Sequence, residues 1–324
     1  MAKPKKAKRG KVTQPGLFED TPEVVIWREP TQRKTVADVL MLGAGLQSTV
    51  IAEMAVEGEL SLDLAVFSDT GNEPFWVYKQ VDYLRRRLDS VGIPLYIGKK
   101  KDSKGITVDL QEKVFSRFAS MPLFTRKGNN GSIGQLRRQC TNEYKIEPGE
   151  QACRKWMVEK GYAYIRKGGA MVVHRKYKVN MLFGFTTDES DRSIRTSPAW
   201  QDSKYPLLER GMSRNDCHQW LLEHELPVPM KSSCIVCPYH SNAHWQYFKE
   251  NAPELFEEAC QFDEWLRTAD NEAYPNLQQP TYVHRSCTPL REVDFTIPTG
   301  ISPFQEELFG DTCQPTDGGF SCFS

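Results

Sequence analysis

The chain has 324 residues, enough for about two domains and a large buried core. Its 42 basic and 42 acidic residues balance, which excludes a global charge that would draw the chain to nucleic acid or membrane. No apolar run approaches the ~18 residues of a membrane span, and none follows the N-terminal lysines as in a secretory signal. We therefore expect a cytoplasmic protein without a membrane partner. Nine cysteines in such a chain favour metal or redox chemistry over a disulfide framework.

Both ends of the sequence differ in composition from the middle. Basic residues crowd positions 3–11, where no apolar pattern is present. Such a block is typical of a disordered tail and sometimes of a nucleic-acid-binding arm. We predict a disordered basic tail over residues 1–34. The Gly-, Ser- and Pro-rich segment 303–324, which carries Cys313 and Cys322, predicts a second flexible tail.

An apolar run, a glycine turn and a helix start follow one another within Val36–Gly58. Val39–Leu42 is apolar enough to be a strand buried on both faces, and the glycines after it permit a sharp turn. Free N–H groups at the start of the following helix, predicted to begin at Ser48, would favour an anion. The pattern is neither a Walker loop nor GxGxxG, so alone it is a weak signal. The expected ligand-binding residues here are Gly43, Ala44, Gly45, Gln47, Ser48 and Thr49.

Further segments continue the alternation of strands and helices. They are strands at Leu62–Phe67, Ile93–Ile97 and Val179–Phe185, and a helix at Trp76–Leu88. Strands separated by helices predict an α/β fold with a doubly wound parallel sheet, whose ligands bind beyond the carboxyl ends of the strands. We therefore expect Asp69, Thr70 and Gly71, which follow the second strand, to lie beside the first glycine turn. The polar and glycine-rich segment 99–134 predicts a long loop that acts as a lid or binding segment.

The sequences GAGLQST and FSDTG together resemble the phosphoadenosine phosphosulfate (PAPS) reductase branch of the PP-loop, adenine nucleotide α-hydrolase-like superfamily. CTNEYKIEP and the segment from Gly184 to Arg192 resemble further motifs of that family. The resemblance implies a Rossmann-like fold in which the first loop holds phosphate or sulfate. It also implies that Asp69 lies near the nucleotide and that Arg192 faces it. The nucleotide would be PAPS or ATP, with Mg²⁺ in the case of ATP; Gln47, in place of the family's usual Asp, favours PAPS.

Cysteines form the second chemical feature of the sequence. Two arginines precede Cys140 and Lys145 follows it, and nearby positive charge stabilises the thiolate that attacks or binds metal. Cys234 and Cys237 form a C-x-x-C pair, which can bind one metal ion through both thiols. A single pair supplies only two ligands, so further residues must complete a metal site.

Three interpretations of the cysteines compete. In the first, Cys140, Cys234 and Cys237 hold an iron–sulfur cluster, most simply 4Fe–4S, or zinc. Cys217 would be the fourth ligand, in the first turn of a helix where the dipole lowers a thiol's pKa, and Cys287 is a weaker candidate. In the second, His240 and His244 complete a zinc site with the C-x-x-C pair. In the third, the pair is a redox couple or packs as two small apolar residues.

These observations give a domain plan and two functional hypotheses. The nucleotide-binding domain would span 35–230 and a helical, cysteine-bearing module 231–302. The first hypothesis is a PAPS reductase-like sulfurtransferase or oxidoreductase with Cys140, Asp69 and Arg192 as catalytic residues. It either transfers or reduces the sulfur of PAPS, or thiolates a nucleic acid with ATP, which would need a sulfur donor such as a partner protein. The alternative is a zinc-stapled nucleic-acid-binding protein with a non-catalytic nucleotide fold.

Overall fold

The structure is a computed structural model that describes residues 32–102, 104–110, 121–127, 132–193, 197–268 and 279–296. The chain divides into two units, Met1–Gln32 and Arg33–Ser324. The predicted flexible tail at 303–324 lies outside the described residues, as does the predicted basic tail up to residue 31. Among the described residues, no helix has the length and apolarity that crossing a bilayer requires.

The described residues form ten strands and seven α-helices. The strands are β1 (Lys34–Leu42), β2 (Leu64–Asp69), β3 (Leu95–Lys99), β4 (Phe124–Lys127), β5 (Ser132–Gln135), β6 (Ala163–Ile165), β7 (Met171–Val173), β8 (Tyr177–Leu182), β9 (Gln201–Lys204) and β10 (Thr281–Tyr282). The helices are α1 (Leu46–Val56), α2 (Phe75–Asp89), α3 (Glu147–Glu159), α4 (Pro206–Glu209), α5 (Arg214–Glu223), α6 (Asn242–Asn251) and α7 (Pro253–Trp265). A π-helical turn, Thr141–Ile146, precedes α3.

The central sheet has the strand order β3-β2-β1-β8-β9. Every pairing in it is parallel, which confirms the predicted α/β fold with a parallel sheet. The arrangement is compatible with a Rossmann-like fold. Successive residues of β1 point to opposite faces: Leu40 and Leu42 join the core formed with α1 and α2, whereas Val39 and Met41 join the core formed with α3. Burial of both faces explains why this strand is apolar at every position of its second half, Val39–Leu42.

The strand order reverses at β1, which pairs with β2 on one side and β8 on the other. At such a switch point the loops after the two central strands diverge and leave a crevice for a ligand. The loops after β1 and β8 nevertheless approach closely at one place. A Cβ added at Gly184 would lie 3.0 Å from the Ser48 nitrogen and 3.1 Å from the Gln47 Cβ. Glycine at this position therefore lets the two loops meet.

The C-terminal part of the described chain shares a core with the central sheet. Trp245 and Phe248 of α6 and Phe262 of α7 belong to the same apolar cluster as α1 and α2. The apolar pattern over 245–267, with a proline at 253, predicts a helix that is broken near that proline, and α6 and α7 meet there. The expected loop over 99–134 is wrong in part, because β4 and β5 pair with each other and β4 pairs with β10. That last pairing joins segments more than 150 residues apart, which a local pattern does not reveal.

Candidate nucleotide site and thiol cleft

The turn after β1 has the geometry of a tight strand-to-helix connection. Ala44 adopts a left-handed conformation with φ 57°, and Gly45 is the N-cap of α1. The Gly43 N–H donates to Ser48 Oγ at 3.2 Å, and the Ser48 hydroxyl donates to the Gly45 carbonyl at 3.2 Å. The helix thus begins two residues earlier than predicted, and Ser48 closes the turn from inside. No side chain caps α1 and its first turn holds no acidic residue, so this end remains favourable for an anion.

The loop after β2 is organised by Asp69, which is 8% exposed. Its Oδ1 accepts the Gly71 N–H at 2.8 Å and the Tyr78 hydroxyl at 2.9 Å, while Oδ2 forms an ion pair with Lys99 Nζ at 2.8 Å. Burial and the Asp69 carboxylate raise the pKa of Tyr78, which therefore stays a donor. Gly71 has φ +73°, and a Cβ there would lie 2.0 Å from Asp109 Oδ1. Asp69 thus lies at the expected edge of the sheet and fixes the shape of its own loop.

The loop after β8 adds polar groups at the same edge. Its 3₁₀ segment, Thr187–Ser193, contains Glu189, whose carboxylate accepts from Gln47 Nε2 at 3.3 Å. Asp188 accepts the Arg214 N–H at 2.6 Å, so this segment also contacts α5. Arg192 belongs to the segment, but its predicted contact with the nucleotide concerns a side chain outside the described part of the structure. Gln47 therefore connects the loop after β1 to the loop after β8.

Three of the four predicted metal ligands line one cleft. Cys140 reaches it from the start of the π-helical turn, and Cys234 and Cys237 reach it from the loop before α6. The cleft has a volume of about 30 Å³, enough for one or two water molecules, and Arg138 and Lys145 also line it. Among the described residues, no three His, Cys, Asp or Glu side chains are grouped closely enough to hold a metal ion.

Burial dominates the electrostatics of these thiols. It raises the pKa of Cys140 despite the opposing effect of Arg138 and Lys145, so the cation-stabilised thiolate expected there is not present in this geometry. Burial, followed by the Glu73 carboxylate, raises the pKa of Cys234 well above its usual range. Both groups are thiols at neutral pH unless a bound metal or ligand displaces their protons.

Cys217 does not line the cleft. It lies in the first turn of α5, where Ser213 is the N-cap and forms a capping box with Asp216. The helix dipole was expected to lower the thiol pKa, but burial raises it to about 12, and the charged groups that act on it are Arg214, Asp216, Asp188 and Glu189. Cys287, the weaker candidate, is also absent from the lining of the cleft. Burial raises the pKa of its thiol, and Arg126 opposes that shift.

His240 holds the C-x-x-C loop in place. Its Nε2 donates to the Cys234 carbonyl at 2.9 Å and lies 3.3 Å from the Ile235 carbonyl, while Nδ1 lies 3.3 Å from Ser233 Oγ. Burial lowers the pKa of His240 to about 3, so the ring is neutral. The His244 ring stacks against it at 4.2 Å between centroids. In this arrangement both nitrogens of His240 serve the loop itself, which favours a structural role over zinc ligation.

The loop after β2 and the C-x-x-C loop are in direct contact. Thr70 Oγ1 donates to Glu73 Oε1 at 2.9 Å and lies 3.5 Å from Cys234 Sγ, which in turn lies 3.6 Å from Glu73 Oε1. The Ile235 N–H donates to the Asn72 carbonyl at 2.8 Å, and Trp76 Nε1 donates to the Lys231 carbonyl at 3.1 Å. The contacts of Asn72, Glu73 and Trp76 with the C-x-x-C loop were not predicted from the sequence. Asn72 and Glu73 continue the polar run that follows β2, which was the available signal for those two residues.

Comparison of the chain with protein-family models gives no match, and a search of curated proteins also returns no relative. The likeness to PAPS reductases therefore depends on the motifs in the sequence.

Proposed function

We propose that this protein is a sulfur-chemistry enzyme that binds an adenine nucleotide, PAPS or ATP, at the carboxyl ends of β1, β2 and β8. Sulfur is handled in the adjacent cleft by Cys140, Cys234 and Cys237. The observation that carries the proposal is the contact between Thr70 and Cys234, with Sγ and Oγ1 3.5 Å apart. A group held by the β2 loop would be a neighbour of the thiols, as a transfer reaction requires.

The nucleotide part of the proposal draws on the strand order and the first loop. The crevice at the switch point is where open parallel sheets bind ligands, and the first turn of α1 offers N–H donors to phosphate or sulfate. Asp69 acts as a positioning residue, because its oxygens already bind Gly71, Tyr78 and Lys99. With ATP, Mg²⁺ would accompany the phosphates.

The sulfur part of the proposal depends on the donors in the cleft. Cys140, Cys234 and Cys237 line one cleft with two nearby cations, and thiolates suit a thiophilic centre. In the described geometry the three thiols are not grouped at metal-binding distance, so they would have to move together to hold an iron–sulfur cluster or, as an alternative, zinc. Such a centre supplies a site for binding and activating sulfur. Cys217 is removed from the proposed ligand set, because it is buried in α5 and does not line the cleft.

Metal analysis of protein purified without oxygen tests the sulfur part. We expect iron and sulfide in matching amounts, with broad absorption near about 400 nm. Ser substitution of Cys140, Cys234 or Cys237 should remove most of the metal, whereas Cys217→Ser, a matched control outside the cleft, should keep it. Zinc alone in a protein that binds neither nucleotide would support the non-catalytic, zinc-stapled alternative. Equal metal loss in Cys217→Ser would contradict the three-ligand site.

Calorimetric titration with ATP and PAPS tests the nucleotide part. Ser48→Ala removes the acceptor of the Gly43 N–H and should weaken binding about tenfold, the value of one lost hydrogen bond to a loop that binds charge. Ser90→Ala removes a hydroxyl from the far end of α2 and serves as the control. Unchanged affinity in Ser48→Ala would refute the assignment of this loop.

A further inference from the structure

The hairpin β6–β7 is a strongly basic surface that the proposed chemistry does not use. Residues 161–178 contain no Asp or Glu. Four exposed cations lie on or beside the hairpin, and no ion pair joins any of them to another described residue; they are Arg166, Lys167, Arg175 and Lys176. Lys178, by contrast, is paired with Asp202 at 2.6 Å. Unpaired cations of one sign favour an anionic partner.

The same hairpin presents aromatic rings between the cations. Tyr164 is 41% exposed, and its ring lies 5.0 Å from that of His174. The ring centroids of His174 and Tyr177 are 6.3 Å apart, and Lys176 Nζ lies 4.9 Å from the centroid of the Tyr177 ring. Alternating rings and cations are the surface on which nucleic-acid bases stack while the phosphates are neutralised.

The tip and the packing of the hairpin agree with such a role. The Arg166 N–H donates to the Ala170 carbonyl at 2.9 Å and closes the turn, in which Gly169 has φ +82°. Residues 166–170 are all exposed, so the tip is accessible to a partner. The apolar side chains Ala163 and Val173 face the core beside α3. They are therefore not available to enter a membrane, which leaves only Ile165 as an exposed aliphatic group on the hairpin strands.

We propose that the β6–β7 hairpin, with Arg175 and Lys176, is a docking surface for nucleic acid. It lies at the amino end of β8, about 20 Å along that strand from the candidate nucleotide site. It would therefore hold the partner and not take part in the reaction. The proposal deepens the proposed function, because it names nucleic acid as the class of sulfur acceptor, and it depends on that function for the chemistry alone.

Fluorescence anisotropy with a labelled single-stranded oligonucleotide tests the surface. The variant replaces the four cations by Gln (R166Q, K167Q, R175Q and K176Q). The control makes the same charge change at exposed positions on other elements (K79Q, R86Q, K104Q and K249Q). The loss of four phosphate contacts should reduce the steepness with which log affinity falls against log salt concentration by about 3. Between about 50 and 200 mM salt, the affinity of the wild type should therefore fall about 50-fold more than that of the hairpin variant. The control should keep the wild-type slope.

Tyr164 separates stacking from charge. Tyr164→Ala should weaken binding of the single strand about 5- to 150-fold, while Tyr164→Phe, which keeps the ring, should bind as the wild type does. The proposal is overturned if the wild type binds no oligonucleotide, if the hairpin variant keeps the wild-type slope, or if anionic phosphatidylserine vesicles bind while oligonucleotides do not. Binding of ATP and PAPS is measured in the same samples. A wild type that binds the oligonucleotide but neither ATP nor PAPS would refute the proposed function and leave the docking surface intact.

Discussion

Replacement of Thr70 by Val tests the contact between the two candidate sites. Val keeps the β-branched shape of the side chain but removes the hydroxyl. That hydroxyl is buried, donates to the Glu73 carboxylate at 2.9 Å, accepts the Asn72 N–H at 3.3 Å and touches Cys234 Sγ at 3.5 Å. Thr70→Val therefore removes a buried hydroxyl that bonds within the β2 loop and also touches the C-x-x-C loop.

The size of the effect follows from these bonds. A hydrogen bond to a buried charged group contributes about 1.5–3 kcal/mol, and a neutral one about 1 kcal/mol. Thr70→Val should thus lower the free energy of unfolding by about 2–4 kcal/mol. Thr70→Ser keeps the hydroxyl and loses only a methyl group, which costs about 0.5–1.5 kcal/mol. The difference between the two variants isolates the hydroxyl.

Urea denaturation measures both variants, and thiol alkylation followed by peptide mass analysis reports on the junction. We expect Cys234, which is buried, to react faster in Thr70→Val than in the wild type, because its loop is less firmly held. Cys237, which is partly exposed, serves as the internal reference. Equal stabilities of the Val and Ser variants, with an unchanged rate at Cys234, would refute the view that this hydroxyl joins the loops.

Three further predictions concern the frame around the sites. Asp263→Ala removes a fully buried carboxylate that forms an ion pair with Arg267 and accepts two backbone N–H groups at 2.8 Å. Denaturation should show that the free energy of unfolding falls by about 3–5 kcal/mol. The control Glu254→Ala, at an exposed position, should change it little. Gly98→Ala would place a Cβ 2.4 Å from a backbone oxygen of α3 and should lower the free energy of unfolding by about 1–3 kcal/mol. The control Gly168→Ala, which has open space around its Cβ, should be nearly neutral. Equal melting temperatures of the two variants would contradict this. Burial lowers the pKa of His284 from 6.5 to about 4, so the unfolded chain binds this proton at a higher pH than the folded protein does. The free energy of unfolding should therefore fall by about 1.4 kcal/mol per pH unit as the pH drops from about 6.5 towards 4. Denaturation of His284→Gln at the same pH values should lack this part of the slope.

The sequence predicted the centre of the fold well, because the relevant signals are local. Each of the strands β1, β2, β3 and β8 overlaps a predicted apolar run. β1 starts five residues before its predicted run and ends with it, and the other boundaries differ from the prediction by two or three residues. The helix break at Pro253 also follows from one residue, since proline starts a helix more readily than it continues one. The turn after β1 was also placed correctly, because Gly43 and Gly45 mark it in the local sequence.

Features decided by distant contacts were not predictable in this way. The strand β9, Gln201–Lys204, is entirely polar and is a strand because it pairs with β8 at the edge of the sheet. The pKa of Cys217 was expected to fall from its helix position, yet burial reverses the shift, and burial is a property of the folded core. Whether a thiol in a helix is reactive therefore depends on what packs over it more than on its place in the helix.

The adjacency of the two candidate sites is the step that the fold adds to the motifs. Asp69 and Cys234 are 165 positions apart in numbering, and each was assigned to a site from its own neighbours in sequence. The Asn72–Ile235 and Trp76–Lys231 hydrogen bonds hold the β2 loop against the C-x-x-C loop over a continuous stretch, so neither loop can shift far without the other. A ligand that tightens the β2 loop must therefore also favour one geometry of the thiols, and a centre bound by the thiols must favour one geometry of the β2 loop, because coupling between two sites is reciprocal.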